Sequence, residues 1–145
     1  MQNPESKFSF KKVVAIEDTK IDQYIIENTM KKCNFTQELL VFGSPGDALS
    51  HFGFVEETMA ELPDLIFLDI HMPKMNGFEF LSALNEKYDA LKNKISVVLL
   101  TSSLDPIDKN LSNEFPNIKL YLNKPLSVEK LEKISAMMGG QVSMQ

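Results

Sequence analysis

An α/β fold, with a parallel sheet covered by helices, is the architecture this sequence predicts. Three observations lead to it. Short apolar runs rich in branched residues recur along the chain: Val13-Val14-Ala15-Ile16, Leu39-Leu40-Val41-Phe42, Leu65-Ile66-Phe67-Leu68 and Ile95 to Leu100. Runs this short, bounded by turn signals, read as buried parallel strands. Segments with apolar residues at helical spacing separate them, and that alternation marks a sheet flanked by helices. Finally, Glu17, Asp18, Asp69, Thr101 and Lys124 stand directly at the exits of such runs.

Taken in order, the first strand covers about Val13 to Ile16, after a polar opening stretch. The next helix carries Ile21, Tyr24 and Ile25, then Asn28-Thr29-Met30, at helical spacing and closes near Cys33-Asn34. Leu39 to Phe42 form the second strand. Ser44-Pro45-Gly46-Asp47 opens the second helix, with Ser44 as N-cap, Pro45 at the first position and an acid in the first turn. Ala48, Leu49, Phe52, Val55 and Met59 ride on that helix, and Pro63 closes the connection to the third strand. The loop from His71 to Gly77 leads into a helix with Phe78, Leu81 and Leu84, which Lys92-Asn93-Lys94 ends. A fourth strand runs to Leu100. Asp105-Pro106 then opens a helix with Ile107 and Leu111 on one face, and Asn117 closes it before a fifth strand at Ile118 to Leu122. Ser127 caps a last helix with Val128, Leu131, Ile134 and Met138, ended by Gly139-Gly140.

At 145 residues, 43% hydrophobic and 24% charged, the chain has the make-up of one globular domain. No apolar run approaches the roughly 18 residues a membrane span needs. The segment Met1 to Lys7 lacks the apolar stretch of a secretory signal, and Cys33 is the only cysteine. A reducing, cytoplasmic setting without membrane insertion is the expectation. The net charge of −5 and the absence of arginine argue against direct nucleic-acid binding.

The polar residues at the strand exits define the candidate site. In open α/β sheets, ligands bind outside the carboxyl ends of the strands. Glu17, Asp18 and Asp69 therefore meet at one edge, where like charges need a cation or a shared proton. An all-oxygen cluster suits Mg²⁺, which takes one or two carboxylates, waters and a phosphate. With the Thr101 hydroxyl and the Lys124 ammonium added, the set outlines a phosphoryl-transfer site. Plainer roles compete for single residues. Asp18 can cap the first helix, Thr101 can simply end a strand, and Tyr121 can be a buried-edge aromatic. His51 reads as a helix-surface residue, Cys33 as inert, and the methionines as core fillers.

The segment Leu68-Asp69-Ile70-His71-Met72-Pro73-Lys74-Met75-Asn76-Gly77-Phe78 resembles the phosphoacceptor loop of response regulator receiver domains. Glu17-Asp18, Thr101 and Lys124-Pro125 follow in that family's order, and Tyr121 falls where the family carries its switch aromatic. The resemblance spans residues 12–138, leaving 1–11 and 139–145 as tails, and the short length resembles a single-domain, CheY-like member of two-component systems. It implies a flavodoxin-like, doubly wound five-stranded parallel sheet of order 2-1-3-4-5 with five helices.

By the same resemblance, Asp69 accepts a phosphoryl group from a sensor histidine kinase or a histidine phosphotransfer protein. Mg²⁺, with Mn²⁺ as a substitute, is held by Asp18, Asp69 and the backbone carbonyl of His71, with Glu17 acting through a water. Thr101 and Lys124 contact the phosphoryl oxygens and Tyr121 turns inward. His71, Ser102 and Ser103 form a rim that tunes the phosphoryl lifetime, and Lys124-Pro125 is a candidate cis bond. The implied function is a signalling switch that reshapes the surface of helix 4, strand 5 and helix 5 for a downstream protein. Enzyme activity is limited to self-phosphorylation from small donors and autodephosphorylation.

Two other readings carry distinguishing marks. An aspartyl-nucleophile phosphatase places a second Asp two residues beyond the nucleophile, and here that position is His71. A pseudo-receiver interaction module would lack Asp69, Thr101 or Lys124, and all are present. One departure from the family pattern is the acidic pair itself, Glu-Asp where Asp-Asp is commoner.

Overall fold

The computed structural model describes residues 7–91, 93–102 and 105–139. The strands are β1 (Phe10–Ile16), β2 (Thr36–Phe42), β3 (Leu65–Asp69), β4 (Val97–Thr101) and β5 (Ile118–Asn123). The helices are α1 (Lys20–Lys32), α2 (Pro45–Thr58), α3 (Gly77–Lys87), α4 (Pro106–Ser112) and α5 (Val128–Ile134). All strand pairs are parallel, in the order β2-β1-β3-β4-β5. This is the flavodoxin-like order that the sequence resemblance implied.

Successive strand residues point to opposite faces, so each strand feeds two cores. On one face Val14, Ile16, Ile66, Leu68, Val97 and Leu99 pack with Phe52 of α2 and Phe80, Leu81 and Leu84 of α3. Leu111 of α4 lies against the same layer. On the other face Val13, Ala15, Leu65, Phe67, Val98 and Leu100 pack with Ile26 and Met30 of α1 and with Leu131 and Ile134 of α5. Burial on both faces is why the central strands read as unbroken apolar runs rather than alternating ones.

Side-chain caps fix where the helices begin. Ser44 Oγ accepts from the Asp47 N–H at 3.1 Å, Asp105 Oδ1 from Ile107 at 3.0 Å, and Ser127 Oγ from Lys130 at 3.2 Å. Asn76 and Glu79 form a reciprocal capping box at the start of α3, both bonds 2.8 Å long. Gly77 opens that helix directly beneath the end of β3. A Cβ there would stand 2.7 Å from the Asp69 carbonyl oxygen, so only glycine permits this close approach.

Several sequence expectations need correction. Ile21 and Tyr24 are 74% and 65% exposed, while α1 buries Thr29 and Met30 of the expected set together with Ile26. Ile26 and Met30 pack with Phe35 and Phe67, and that layer selects the buried face. Met59 is the left-handed C-cap of α2 and is 90% exposed, while Ile107 also faces solvent. β1 starts at Phe10, ahead of Lys11-Lys12, and its buried ring packs on Phe35 with centroids 4.9 Å apart, so the strand reaches into the expected tail. α3 stops at Lys87, and a short tight turn, Asp89–Leu91, precedes β4, well before Asn93-Lys94. His51 is not a free surface group. Its ring packs between Phe42 and Phe52, centroids 5.1 and 5.5 Å away, and its Nε2 is buried. The last helix loosens into a wider turn at Ser135–Gly139, and Gly140 lies outside the described residues.

Candidate functional site

The sheet register carries the strand exits to one edge. Ile16 pairs with Leu68, Asp69 with Leu100, and Thr101 with Asn123, so Glu17, Asp18, Asp69, Thr101 and Lys124 leave at adjacent points. The backbone continues this pairing: Glu17 N–H donates to the Phe42 carbonyl at 3.0 Å and Lys124 N–H to the Thr101 carbonyl at 2.8 Å. Thr101 is fully buried. The Lys124-Pro125 peptide bond is cis.

Glu17 is the deepest of the acids, 1% exposed, and both of its oxygens are engaged. Oε2 accepts from the Thr19 N–H at 3.1 Å and the Thr19 hydroxyl at 3.3 Å, and Oε1 accepts from Lys124 Nζ at 2.8 Å. Thr19, rather than Asp18, caps α1, through its hydroxyl and the Asp22 N–H. Asp18 is thereby left without a capping duty. Its Oδ1 is buried and has no hydrogen-bond partner among the described residues.

Asp69 is buried at the end of β3, its Oδ2 3.4 Å from Lys124 Nζ. Burial and the neighbouring Glu17 charge push its carboxyl up to about 6, while Lys124 and the His71 backbone N–H pull the other way. Burial would lower the Lys124 pKa. Hydrogen bonds to Asp22 and Glu17 and the charges of Asp69 and Glu17 outweigh it, so the ammonium is held above its ordinary range.

Sequence reasoning missed Asp22. It lies in the first turn of α1, where acids are commonplace, and its Oδ2 accepts from Lys124 Nζ at 2.9 Å. Only the fold reveals that this turn faces β5. At the rim, His71 is exposed and its Nε2 lies 3.0 Å from Asp108 Oδ2. Ser102 is exposed, and Ser103 falls outside the described residues. Tyr121 is half-buried on β5. Its hydroxyl has no partner among the described residues, and burial together with the charges of Asp108 and Asp105 raises its pKa.

A model of the response regulator receiver domain matches residues 13–136 of the chain. The chain belongs to the response regulator receiver domain family. Response regulator Rcp1 from Synechocystis sp. is 28% identical over 128 residues, covering 86% of this chain and 83% of its own length. A two-component response regulator from Cytophaga hutchinsonii superposes with a TM-score of 0.80 at 26% identity, covering 89% of this chain and 96% of that one. The Mn²⁺-bound form of Rcp1 superposes with a TM-score of 0.63 at 27% identity, over 86% of this chain and 88% of that one.

Receiver domains act in two-component signalling, generally as switches rather than catalysts, and interact with histidine kinases or phosphotransfer proteins. They bind Mg²⁺ or Mn²⁺ at an acidic pocket, and the residues of this receiver domain fit such an ion. Ligand oxygens of Glu17, Asp18 and Asp69 all lie within 4.8 Å of one another, and the partnerless Asp18 oxygen needs a positive neighbour. No helix among the described residues is long and apolar enough to cross a membrane.

Proposed function

We propose that this receiver domain is a phosphorylation-dependent switch whose phosphoacceptor is Asp69, spanning residues 12–138 together with the start of β1. The observation that carries the reading is the Asp69 carboxylate, buried, 3.4 Å from the Lys124 ammonium and inside the Glu17–Asp18 cluster. An Asp69 oxygen attacks the phosphorus of a phosphohistidine on a kinase or phosphotransfer protein, or of a small acyl phosphate. The P–N or P–O bond breaks and the leaving group departs with the electron pair, the imidazole taking a proton from solvent and the small acid leaving as its carboxylate.

A carboxylate meeting an anionic phosphoryl group makes little progress until the repulsion between them is cancelled. Lys124 supplies one fixed positive charge beside the reacting oxygen, and Thr101 a hydroxyl from the adjoining strand. Bound by Asp18, Asp69 and the His71 carbonyl, Mg²⁺ or Mn²⁺ would supply the remaining charge neutralisation. Glu17, with both oxygens already engaged, holds Lys124 and would reach such an ion through a water. The carboxyl of Asp69, pushed up to about 6, is more basic than an ordinary aspartate yet mainly ionised at neutral pH, which suits a nucleophile.

The output is a changed surface on α4, β5 and α5 that a downstream protein reads. Phosphoryl charge at Asp69 draws Thr101 toward it and lets Tyr121 turn inward, a local electrostatic event biasing a two-state surface. His71 and Ser102 at the rim set how readily water reaches the acyl phosphate. The test is an NMR comparison with and without beryllofluoride, a phosphoryl mimic, in saturating Mg²⁺. Shifts spreading from Asp69 to Thr101, Tyr121 and α4 are expected; shifts confined to the loop after β3 would contradict a switch.

A further inference from the structure

The Lys124 ammonium has three protons to donate and faces three carboxylates: Glu17 Oε1 at 2.8 Å, Asp22 Oδ2 at 2.9 Å and Asp69 Oδ2 at 3.4 Å. Its longest contact is thus the one to the phosphoacceptor. The two shorter ones are not equivalent. Glu17 is buried, with its second oxygen fixed by the Thr19 N–H and hydroxyl, so it cannot let go without stranding a charge in the interior. Asp22 is 31% exposed on its side chain, and water can replace Lys124 at its carboxylate.

The main chain of Asp22 is nevertheless anchored, its N–H donating to Thr19 Oγ1 at 3.3 Å. The carboxylate is therefore presented to Lys124 from a fixed turn. Chiefly through the hydrogen bond from Lys124, the Asp22 carboxyl is held below the usual range, so the pair is fully ionic at neutral pH.

Resting on the reading of Asp69 as phosphoacceptor, we infer that Asp22 is a positioning residue that parks the Lys124 ammonium away from Asp69 and yields it to an arriving phosphoryl group. A phosphoryl group brings two negative charges and several acceptor oxygens into a desolvated site. Charge-assisted bonds there are stronger than a pair that is partly exposed to water. Glu17 keeps its contact while Lys124 pivots, so one bond is exchanged for another. Until then the Asp22 charge also adds to the negative potential that an anionic donor must enter. Asp22 thus holds the unphosphorylated state and slows the uptake of phosphoryl groups.

Two measurements test this. In the first, the Lys124 ammonium is followed by ¹⁵N NMR through its couplings across hydrogen bonds. Without beryllofluoride both Glu17 and Asp22 should appear as acceptors; with beryllofluoride and Mg²⁺ the Asp22 coupling should vanish and the Glu17 coupling remain. In the second, phosphorylation by acetyl phosphate is timed. Asp22→Asn should be about threefold to tenfold faster than wild type, and Asp22→Glu should return toward the wild-type rate. A merely structural Asp22 would change the melting temperature without raising that rate. An Asp22 coupling that survives beryllofluoride, or an Asp22→Asn rate at or below wild type, overturns the parking role. A wild-type protein that takes up neither beryllofluoride nor phosphate overturns the Asp69 reading on which it rests.

Discussion

His71 Nε2 and Asp108 Oδ2 stand 3.0 Å apart, tying the loop that leaves β3 to the first turn of α4. The bond crosses from the rim of the acidic site to the face proposed as the output surface. His71→Ala and Asp108→Ala should therefore both shorten the phosphoryl lifetime, because each frees the loop that limits the approach of water. The double variant should match the single ones, since both remove the same link. Dephosphorylation rates in saturating Mg²⁺ decide this. Two additive effects would mean that the residues act separately.

Metal affinity should depend on Asp18 and Asp69 more than on Glu17. The Asp18 oxygen has no partner among the described residues, whereas both Glu17 oxygens are engaged. Asp18→Asn and Asp69→Asn should each weaken Mg²⁺ binding by about tenfold or more. In wild type the affinity should fall as the pH drops through about 6, where Asp69 takes up a proton. Fluorescence or NMR titrations across that range would check it, and unchanged binding in both variants would remove the metal site.

Asp69 should weaken the fold at neutral pH. Its carboxyl titrates near 6 in the folded chain, against 3.8 ordinarily. The folded state therefore binds this proton more tightly than the unfolded state does. The resulting stabilisation is fully present below the unfolded value and is lost as the pH rises through about 6. Without metal at neutral pH, Asp69→Asn should be the more stable protein, by at most roughly 3 kcal/mol. The difference should shrink in acid and narrow or reverse on adding Mg²⁺, as denaturant titrations with and without a chelator would show.

Lys124→Ala removes the cation that faces Glu17, which is buried and cannot rehydrate. Stranding that charge should cost roughly 3 kcal/mol of stability, while leaving Mg²⁺ affinity largely in place. A phosphorylated Lys124→Ala protein should fail to shift the resonances of α4 and β5. A wild-type response would take Lys124 out of the switch.

The sequence revealed most of the sheet edge because strand exits are local events. Each apolar run ends where a polar residue begins, and the open-sheet rule sends all the ends to one side. Residues that join the site through helix geometry were less visible. Asp22 reaches Lys124 across 102 positions in the chain, and nothing local distinguishes it from an ordinary first-turn acid. The face of α1 was only partly legible for a related reason. Ile21, Tyr24, Ile25, Ile26 and Met30 fit two overlapping stripes, and only the packing on Phe35 and Phe67 of the sheet layer selects Ile26 and Met30. Phe10 was obscured by the two lysines that follow it, although the Lys12 stem is itself drawn inward, its ammonium donating to the Glu61 carbonyl at 3.2 Å.

The most direct test is the intact mass of the protein after incubation with Mg²⁺ and acetyl phosphate. Wild type should gain a single phosphoryl group that is lost in base, as an acyl phosphate is, and Asp69→Asn should gain none. A phosphorylated Asp69→Asn protein, or a base-stable group on wild type, would contradict Asp69 as the phosphoacceptor.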